Sequence, residues 1–505
     1  MNKITILSFL TLLFVSIHAL AQIDQSKRLE YDLDKGFNYN VFAFSSQKSA
    51  LVSYFQEDEQ NKKQTMLMLE LLDENFIVKK AASSPTPKEL NEIAYYTDEN
   101  FYYLFNYDKK TGDFLHLKID AASLKIEKTE GSFNLKIDFE EFIALGKFAY
   151  ISAIVKKAPV LFILDLETAK VKSVFSQSQT KNKLSYLDLE KIKTPTGYEL
   201  AIQFSAYIKS NHNDIYLLRF DELGNQLNSF ISLKKPDEET QLLAASLQKI
   251  SPSRYIATGT YSKNKRGYSN GIYFANLDES GNTQSIKCYN FLDLKDFTSY
   301  LSERRQEKIE KKQEKKEAKG EELNLNYRIT IHDLIEKDGQ YIFLGEFFYP
   351  TYRTEYTTTY INGQATRSSY QVFDGFQYSH SVLASFDSDG LMKWSNTFEM
   401  WLNYKPYSVQ QFVSVSNDDS SISLLFMTGS YIKSVSYDYN GTTLKDRTVE
   451  MVSTDFNGDK IKYSIGVDNI YWFGNNFLGS GTQKIKNEVL EDKKRKVFFI
   501  NKISF

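Results

Sequence analysis

Hydrophobic and polar residues alternate in short runs along most of the chain, and turn residues separate the runs. Alternation with a period of two is typical of β-strands that bury one face. The same four-strand unit returns at intervals of roughly 50 residues wherever no insertion intervenes. Repetition at this period favours a β-propeller, in which each repeat forms one blade.

The second strand of each repeat is the clearest, because it follows a turn and begins with an aromatic or aliphatic run. Eight such strands are predicted, at 50–54, 101–105, 148–151, 198–202, 255–259, 341–345, 422–425 and 471–474. The first of them matches the pattern least well. We therefore predict an all-β, eight-bladed propeller of four-stranded antiparallel blades, with seven blades as the alternative count.

The third strand of a repeat ends in an Asp that begins a tight hairpin. The plainest cases pair Asp221 with Gly224, Asp278 with Gly281, Asp387 with Gly390, and Asp438 with Gly441. The Asp side chain can accept hydrogen bonds from the turn backbone, and Gly takes the position with positive φ. A fourth strand is expected after each turn.

The two ends of the chain complement each other. The eighth repeat stops after its third strand, at 497–503, while a single strand at 28–32 precedes the first repeat. We predict that this N-terminal strand completes the last blade and closes the ring, which would remove exposed sheet edges. An open solenoid is the alternative fold, since it also stacks similar units.

The order of turn, Tyr-x-x-x-Gly strand and Asp-x-x-Gly hairpin is best seen from Tyr255 to Gly281 and from Tyr341 to Gly390. It resembles uncharacterised exported β-propeller proteins of Bacteroidetes-type bacteria, whose repeat is a domain of unknown function. The resemblance covers most of the chain and implies a fold without an activity. The Gly-His and Trp-Asp pairs of WD40 blades and the Gly-Gly pair of kelch repeats are absent, so the partners of those families are not implied.

Residues 1–21 have the parts of a secretory signal: Lys3, an apolar run from Ile4 to Ile17, and Ala19-Leu20-Ala21. We expect one propeller domain over 22–505, periplasmic or secreted. No later stretch approaches the ~20 apolar residues of a membrane-spanning helix, so no integral membrane segment is expected. With 62 basic and 64 acidic residues, the chain lacks the basic surface that binds nucleic acid.

Two insertions interrupt the repeats. The first, at 296–325, is dense in Lys, Glu and Gln between Ser302 and Gly320, which predicts a helix exposed to solvent. It could be a docking arm for a partner, but charged runs are usually plain solvated segments, and we favour that interpretation.

The second insertion, at 349–380, predicts a long hairpin around Asn362-Gly363. Its tyrosines are candidate ligand-binding residues: Tyr349, Tyr352, Tyr356, Tyr360, Tyr370 and Tyr378. Tyr is a rigid amphipathic anchor that can bind a sugar or a protein surface. Tyr is also a good strand residue, so packing against neighbouring residues is the commoner outcome of such a pattern.

Sequence motifs for catalysis are missing. The four His residues after position 21 lack the spacing of a local metal site, and neither a nucleophile elbow nor a phosphate-binding loop is present. We therefore predict no metal site and no cofactor. Two acids facing each other across a central channel could still form a glycosidase site, but 64 acidic residues do not reveal which two.

These observations favour a monomeric, non-enzymatic binding or scaffold protein that recognises a glycan or protein partner of the cell envelope through loops on one face. The alternative is a glycan-active hydrolase or lyase with carboxylates at the channel mouth. Convergent acids in a polar cleft would favour the enzyme, and an exposed aromatic patch would favour the binder.

Overall fold

The structure, a computed structural model, describes residues 23–33, 38–176, 183–209, 212–228, 231–263, 267–361, 364–429, 431–451, 458–487, 489 and 494–504. The predicted signal at 1–21 and the turn at Asn362-Gly363 lie outside these residues. The described strands form eight antiparallel sheets, consistent with an eight-bladed propeller. The all-β prediction and the count of eight repeats are confirmed.

The strands follow one another in chain order, sheet by sheet. The chain begins with β1 (Asp24–Asp32), which belongs to the last sheet. Sheet 1 contains β2 (Tyr39–Phe44), β3 (Ser49–Glu57), β4 (Gln64–Leu72) and β5 (Val78–Pro87). Sheet 2 contains β6 (Glu92–Thr97), β7 (Phe101–Tyr107), β8 (Asp113–Asp120) and β9 (Ile126–Ser132). Sheet 3 contains β10 (Asp138–Leu145), β11 (Phe148–Val155), β12 (Ala158–Asp165) and β13 (Val171–Ser176). Sheets 4 and 5 contain β14 (Lys183–Thr194), β15 (Gly197–Lys209), β16 (His212–Asp221) and β17 (Ile231–Ser232), then β18 (Gln241–Ser251), β19 (Arg254–Ser262), β20 (Gly271–Asp278) and β21 (Thr283–Asn290).

Sheet 6 differs from the others because its first strand is split in two. It contains β22 (Arg328–Ile331), β23 (Ile335–Lys337), β24 (Gln340–Ile361), β25 (Gln364–Phe386) and β26 (Met392–Glu399). Sheet 7 contains β27 (Val413–Asn417), β28 (Ser421–Thr428), β29 (Tyr431–Asp438) and β30 (Thr443–Glu450), and sheet 8 contains β31 (Asp459–Phe473), β32 (Asn476–Asn487), β33 (Lys494–Ser504) and β1. The helix α1 (Glu303–Glu317) lies between sheets 5 and 6, and short 3₁₀ turns lie at Ser45–Gln47 and Phe291–Asp293.

The hydrophobic core consists of eight clusters, each formed by two consecutive sheets. The second and third strands of a sheet are buried on both faces, which explains their continuous apolar runs. The last cluster joins sheet 8 to sheet 1 around the fully buried Trp472, whose indole Nε1 donates to the carbonyl oxygen of Ser49 at 2.8 Å. Sheets 8 and 1, the last and the first along the chain, therefore pack against each other.

The N-terminal strand supplies the fourth strand of sheet 8, as the sequence predicts. Strand β1 pairs antiparallel with β33. Its Arg28 donates to Gln483 Oε1 at 2.6 Å and to Asn501 Oδ1 at 3.1 Å, and its guanidinium lies 4.6 Å from the ring centre of Phe499. The two ends of the chain are thereby held in one sheet.

One strand prediction is wrong. Residues 471–473, predicted to begin the second strand of sheet 8, are the end of its first strand, β31. The turn comes later, where Gly474 has a φ of 52°, and the second strand is β32. Asp468, just before these residues, lies beside an irregularity of pairing inside β31. The other seven predicted second strands lie within β3, β7, β11, β15, β19, β24 and β28.

One end of the sheets carries helix α1, the outer part of the hairpin of β24 and β25, and the loop at 400–412. In a sheet that is traversed strand by strand, this end holds the beginning of the first strand, the turn after the second strand and the end of the fourth. Helix α1 buries none of its residues, and its N-cap Ser302 makes no side-chain capping bond. Strands β24 and β25 have 22 and 23 residues, so the hairpin extends well beyond its sheet.

The predicted Asp turns are confirmed, and they also connect neighbouring sheets. Asp438 Oδ1 accepts from the backbone N–H of Asn440 at 2.9 Å and of Thr442 at 2.8 Å. Gly441 in this turn has a φ of 80°, and a Cβ there would lie 2.6 Å from Cγ of Trp394 in sheet 6. The turn therefore needs Gly for its backbone and for its close contact with the preceding sheet.

We expect Gly441→Ala to lower the free energy of unfolding by roughly 2–3 kcal/mol. The Ala backbone would be strained in the left-handed conformation, and its Cβ would be too close to Trp394. Gly339→Ala is the matched control, since Gly339 also has positive φ (76°) but nothing within 4 Å of the added Cβ. Its loss should be roughly 1 kcal/mol. Urea unfolding followed by circular dichroism measures both, and equal losses would show that the contact with Trp394 has no effect.

Candidate functional site

Two adjoining cavities lie between the first strands of sheets 4 to 8, and Asp333 lines both; we call them together the central cavity. The larger measures about 560 Å³ and the smaller about 470 Å³. Lining residues of the larger one include Glu190, Lys193, Lys249 and Glu336, and those of the smaller one include His332, Gln411 and Tyr471. The lining is polar and carries both signs of charge.

Irregular pairing of the first strands brings acidic side chains to this region. Glu141 follows a bulge in β10, and Asp188 follows a bulge in β14. Asp333 lies in the gap between β22 and β23. A bulge redirects the side chains next to it, and such bulges are common beside functional sites.

Glu141, Asp188, Glu190 and Asp333 form what we call the acid cluster. Burial, followed by the charges of Glu141 and Asp333, raises the pKa of Asp188 to about 7. Burial and the charges of Asp333 and Asp188 also raise the pKa of Glu190. Each ionised carboxyl therefore disfavours ionisation of its neighbours, and Asp188 is partly protonated near neutral pH.

The other two members show the same direction. Burial raises the pKa of Glu141, against the effect of a hydrogen bond that the Tyr186 hydroxyl donates to it. Asp333 is open to the central cavity, yet the strands around it desolvate its carboxyl enough to raise the pKa, while the charge of His332 lowers it. An acid with raised pKa beside an ionised one is the arrangement that general acid catalysis uses.

Glu190 also has a structural role, because its carboxylate connects three sheets. It accepts from Ser246 Oγ at 2.6 Å and from the backbone N–H of Leu247 at 3.0 Å, both in sheet 5. The same Ser246 hydroxyl accepts from the backbone N–H of Leu334 in sheet 6 at 2.9 Å. The gap between β22 and β23 is thereby attached to sheet 5.

Glu346, which is completely buried, makes the corresponding connection from sheet 6 to sheet 7. Its carboxylate accepts from the backbone N–H groups of Phe412 and Val413 at 2.9 Å, and His332 Nε2 lies 2.7 Å away. Buried carboxylates thus satisfy backbone donors at the edge strand of the adjoining sheet.

Sequence reasoning missed all of these residues. Asp188, Glu190 and Asp333 interrupt apolar strand patterns, but many acids do so, and only the arrangement of four sheets brings these together. In the part of the chain that the structure describes, no three His, Cys, Asp or Glu side chains converge so as to hold a metal ion. No described helix is long and apolar enough to cross a membrane.

The second candidate region lies on the long hairpin. Tyr352 and Tyr356 share one face of it, and their exposed fractions are 59% and 60%. Phe373, opposite Tyr352, packs between two rings: its centre is 6.0 Å from that of Tyr352 and 5.9 Å from that of Tyr407, which is 66% exposed. We call Tyr352, Tyr356, Phe373 and Tyr407 the aromatic strip.

The remaining predicted tyrosines lie elsewhere. Tyr349 is partly exposed nearer the sheet, while Tyr370 is on the opposite face of the hairpin and donates to Glu355 at 3.0 Å. Tyr378 is not available to a ligand, since it is completely buried and donates to the Gln410 carbonyl at 2.7 Å. The side chain of Tyr360 lies outside the described structure. Tyr407 was not predicted, because it belongs to the loop between sheets 6 and 7.

Charged groups lie beside the aromatic strip. Asp374 pairs with Lys405 at 2.7 Å and with Arg353 at 3.9 Å. The hydrogen bond from Lys405 lowers the pKa of Asp374, and those from Tyr370 and Arg353 lower the pKa of Glu355. Asp374 is ionised at neutral pH and offers a fixed acceptor next to Phe373. Glu355 shares the opposite face of the hairpin with Tyr370.

Comparison with known proteins gives similarity of fold alone. No protein-family model matches the chain, and no curated protein matches its sequence. The Dos1 propeller is similar over 95% of each chain, with 10% identity and a TM-score of 0.40. The polysaccharide lyase Uly1 is similar over 92% of this chain and 89% of its own, with 10% identity and a TM-score of 0.36. TolB from Acinetobacter baumannii is similar over 79% and 81%, with 10% identity and a TM-score of 0.26.

The raised pKa of Asp188 predicts a pH-dependent stability. The folded state binds this proton more tightly than the unfolded state, whose Asp pKa is about 3.9, so the contribution of Asp188 to stability is present below about pH 4 and is lost as pH rises to 7. We expect Asp188→Asn to raise the free energy of unfolding at pH 8 by roughly 1–2 kcal/mol, with little gain at pH 4.

Urea unfolding at the two pH values measures this effect. Glu89→Gln is the control, because Glu89 is an exposed turn residue and its replacement should change neither value. If Asp188→Asn had the same pH profile as the parent protein, Asp188 would not hold its proton in the folded state.

Proposed function

We propose that the protein is an exported binding protein of the cell envelope that recognises a glycan through the aromatic strip, with a propeller ring closed by β1 as its rigid support. The observation that carries this proposal is the position of Tyr352 and Tyr407. Both rings are more than half exposed, yet both are fixed against Phe373. Exposed aromatic rings with a polar border are typical of binding surfaces.

The chemistry of the strip suits a polysaccharide. The C–H face of a sugar ring packs on an aromatic ring, and its hydroxyl groups need both donors and acceptors. Asp374 accepts and Lys405 donates beside the strip. Since these side chains are already held by ion pairs, little side-chain entropy is lost on binding.

Packing of the hairpin against its neighbours, the commoner outcome for such a pattern, does not account for these rings. The outer half of the hairpin extends beyond sheet 6, and the loop that brings Tyr407 packs along β25, with the N–H of Phe376 donating to the Pro406 carbonyl at 2.8 Å. The loop positions Tyr407 without covering the strip.

The acid cluster supports a second candidate, a glycan-active hydrolase or lyase in the central cavity. Asp188, with a pKa of about 7, lies where the charges of Glu141 and Asp333 act on it. In a glycosidase one protonated carboxyl donates to the leaving oxygen while a second, ionised carboxyl acts as base or nucleophile. Because the carboxyls of the cluster raise one another's pKa, protonated and ionised carboxyls would coexist there.

For the binding function, we expect Tyr352→Ala and Tyr407→Ala each to weaken glycan binding by roughly tenfold or more, because each removes one stacking surface. Isothermal titration with cell-wall oligosaccharides measures this, after an array has identified one that binds. Tyr370→Ala, on the opposite face, and Tyr431→Ala, on sheet 7, should bind as the parent does. Undiminished binding in both strip variants, or capture of a protein partner without any glycan, would contradict the proposal.

For the catalytic candidate, we expect Asp333→Asn to reduce turnover of a polysaccharide by roughly 100-fold or more, because Asp333 lines both cavities and would be the acid that reaches a substrate there. In the parent protein the rate should fall as pH rises through about 7, where the acid cluster loses the proton held at Asp188. Release of reducing ends, or of unsaturated ends for a lyase, measures both. Binding at the aromatic strip should persist in this variant, and full turnover without Asp333 would exclude the assigned role.

A further inference from the structure

A separate cavity of about 450 Å³ opens between sheets 1 and 2; we call it the inter-sheet cavity. Its lining includes no residue of the aromatic strip or of the acid cluster. We propose that it is a binding site for a single neutral sugar ring, a pyranose. This site would be additional to the glycan surface on the hairpin and does not depend on it.

The polar lining of the inter-sheet cavity consists mainly of carboxamides. The four amides lie at separate positions: Asn38 just before β2, Asn40 in β2, Asn91 in the connection between the two sheets, and Asn106 in β7. Lys88 is the one charged residue among the described lining, and it pairs with Glu57 at 3.4 Å. A cationic ligand would therefore lack a compensating partner, and an anionic one would meet only Lys88, whose charge Glu57 already offsets. Amides offer a donor and an acceptor to each hydroxyl group.

Asn106 is the lining residue that most strongly indicates a polar ligand. Its side chain is 99% buried, with 1% of its surface exposed, and its Nδ2 has no hydrogen-bond partner in the described structure. A buried amide donor without a partner costs stability, so native proteins rarely keep one unless a ligand or water completes it. A hydroxyl oxygen of a bound sugar would be such an acceptor. A purely apolar ligand would leave the donor unpaired.

Two further polar residues of the lining, Thr65 and Thr86, already have hydrogen-bond partners. The hydroxyl groups of Thr65 and Thr86 lie 2.8 Å apart, and that of Thr86 is 3.0 Å from the Thr65 carbonyl. The lining thus separates into groups that are paired and amides that are open to a ligand.

An aromatic wall completes the site. Tyr95 is 53% exposed at the opening, and Tyr102 is buried deeper. Phe42 packs against both, with ring centres 5.3 Å from Tyr95 and 4.6 Å from Tyr102, so the Tyr95 ring is held in place. Leu90 and Leu104 extend this apolar side. One apolar face opposite several amides matches a pyranose, which has a C–H face and a rim of hydroxyl groups.

The test uses three neutral probes: methyl β-glucoside, methyl β-galactoside and methyl β-N-acetylglucosaminide. Binding is measured by saturation-transfer NMR and calorimetry on a protein that carries Tyr352→Ala and Tyr407→Ala, so that the aromatic strip cannot contribute. We expect at least one probe to bind saturably. Binding here with no glycan binding at the strip would support the inter-sheet site alone, and the reverse result would overturn it while leaving the strip intact.

Two further substitutions locate the binding. Asn106→Leu keeps the branched shape and removes the unpaired donor, so it should reduce affinity at least tenfold without lowering the melting temperature. Tyr95→Ala should reduce affinity by a similar factor, and because its ring is half exposed it tests the site even if Asn106→Leu folds poorly. Tyr431→Ala is the control. No binding by any probe, or full binding in both variants, would overturn the proposal.

Discussion

The structure depends on one constraint: each sheet can bury its two faces only against the sheets before and after it. Among the residues that the structure describes, the core accordingly divides into eight clusters, and each cluster joins two sheets. The first and last sheets would each leave one face uncovered if the chain stayed open. Trp472 and its bond to Ser49 meet this need, and β1 adds the missing fourth strand.

Hydrophobic burial alone does not fix how the first strands meet. Several of these strands are irregular, and each is the edge of its sheet, so its outward backbone donors must be satisfied away from water. Glu190 and Glu346 each accept from backbone N–H groups of the adjoining sheet. Such carboxylates are costly to bury, and at Glu190 the charge of nearby acids adds to that cost. Acids with raised pKa values thus gather where edge strands need acceptors.

The aromatic strip, in contrast to the acid cluster, lies on segments that connect strands and sheets. The hairpin of β24 and β25 and the loop that carries Tyr407 lie at the end where connections between sheets begin and end. Insertions there leave the junctions between sheets unchanged, so the chain can vary them without loss of core. The inter-sheet cavity is different, because its amides are contributed by the sheets themselves, and Asn106 is part of a central strand.

The sequence by itself determined the local features: strands from alternation, turns from Asp and Gly, the charged helix, the aromatic hairpin, and the unpaired N-terminal strand that completes sheet 8. These follow from backbone and side-chain preferences within a few residues. Only the tertiary structure decided that Tyr378 is buried and that Tyr407 packs against Phe373, on whose other side Tyr352 lies. It also decided that Glu141, Asp188 and Asp333 come close enough for their charges to interact. These depend on bulges and on contacts between distant sheets, and a one-residue shift in register, which local patterns do not specify, turns a side chain from core to solvent.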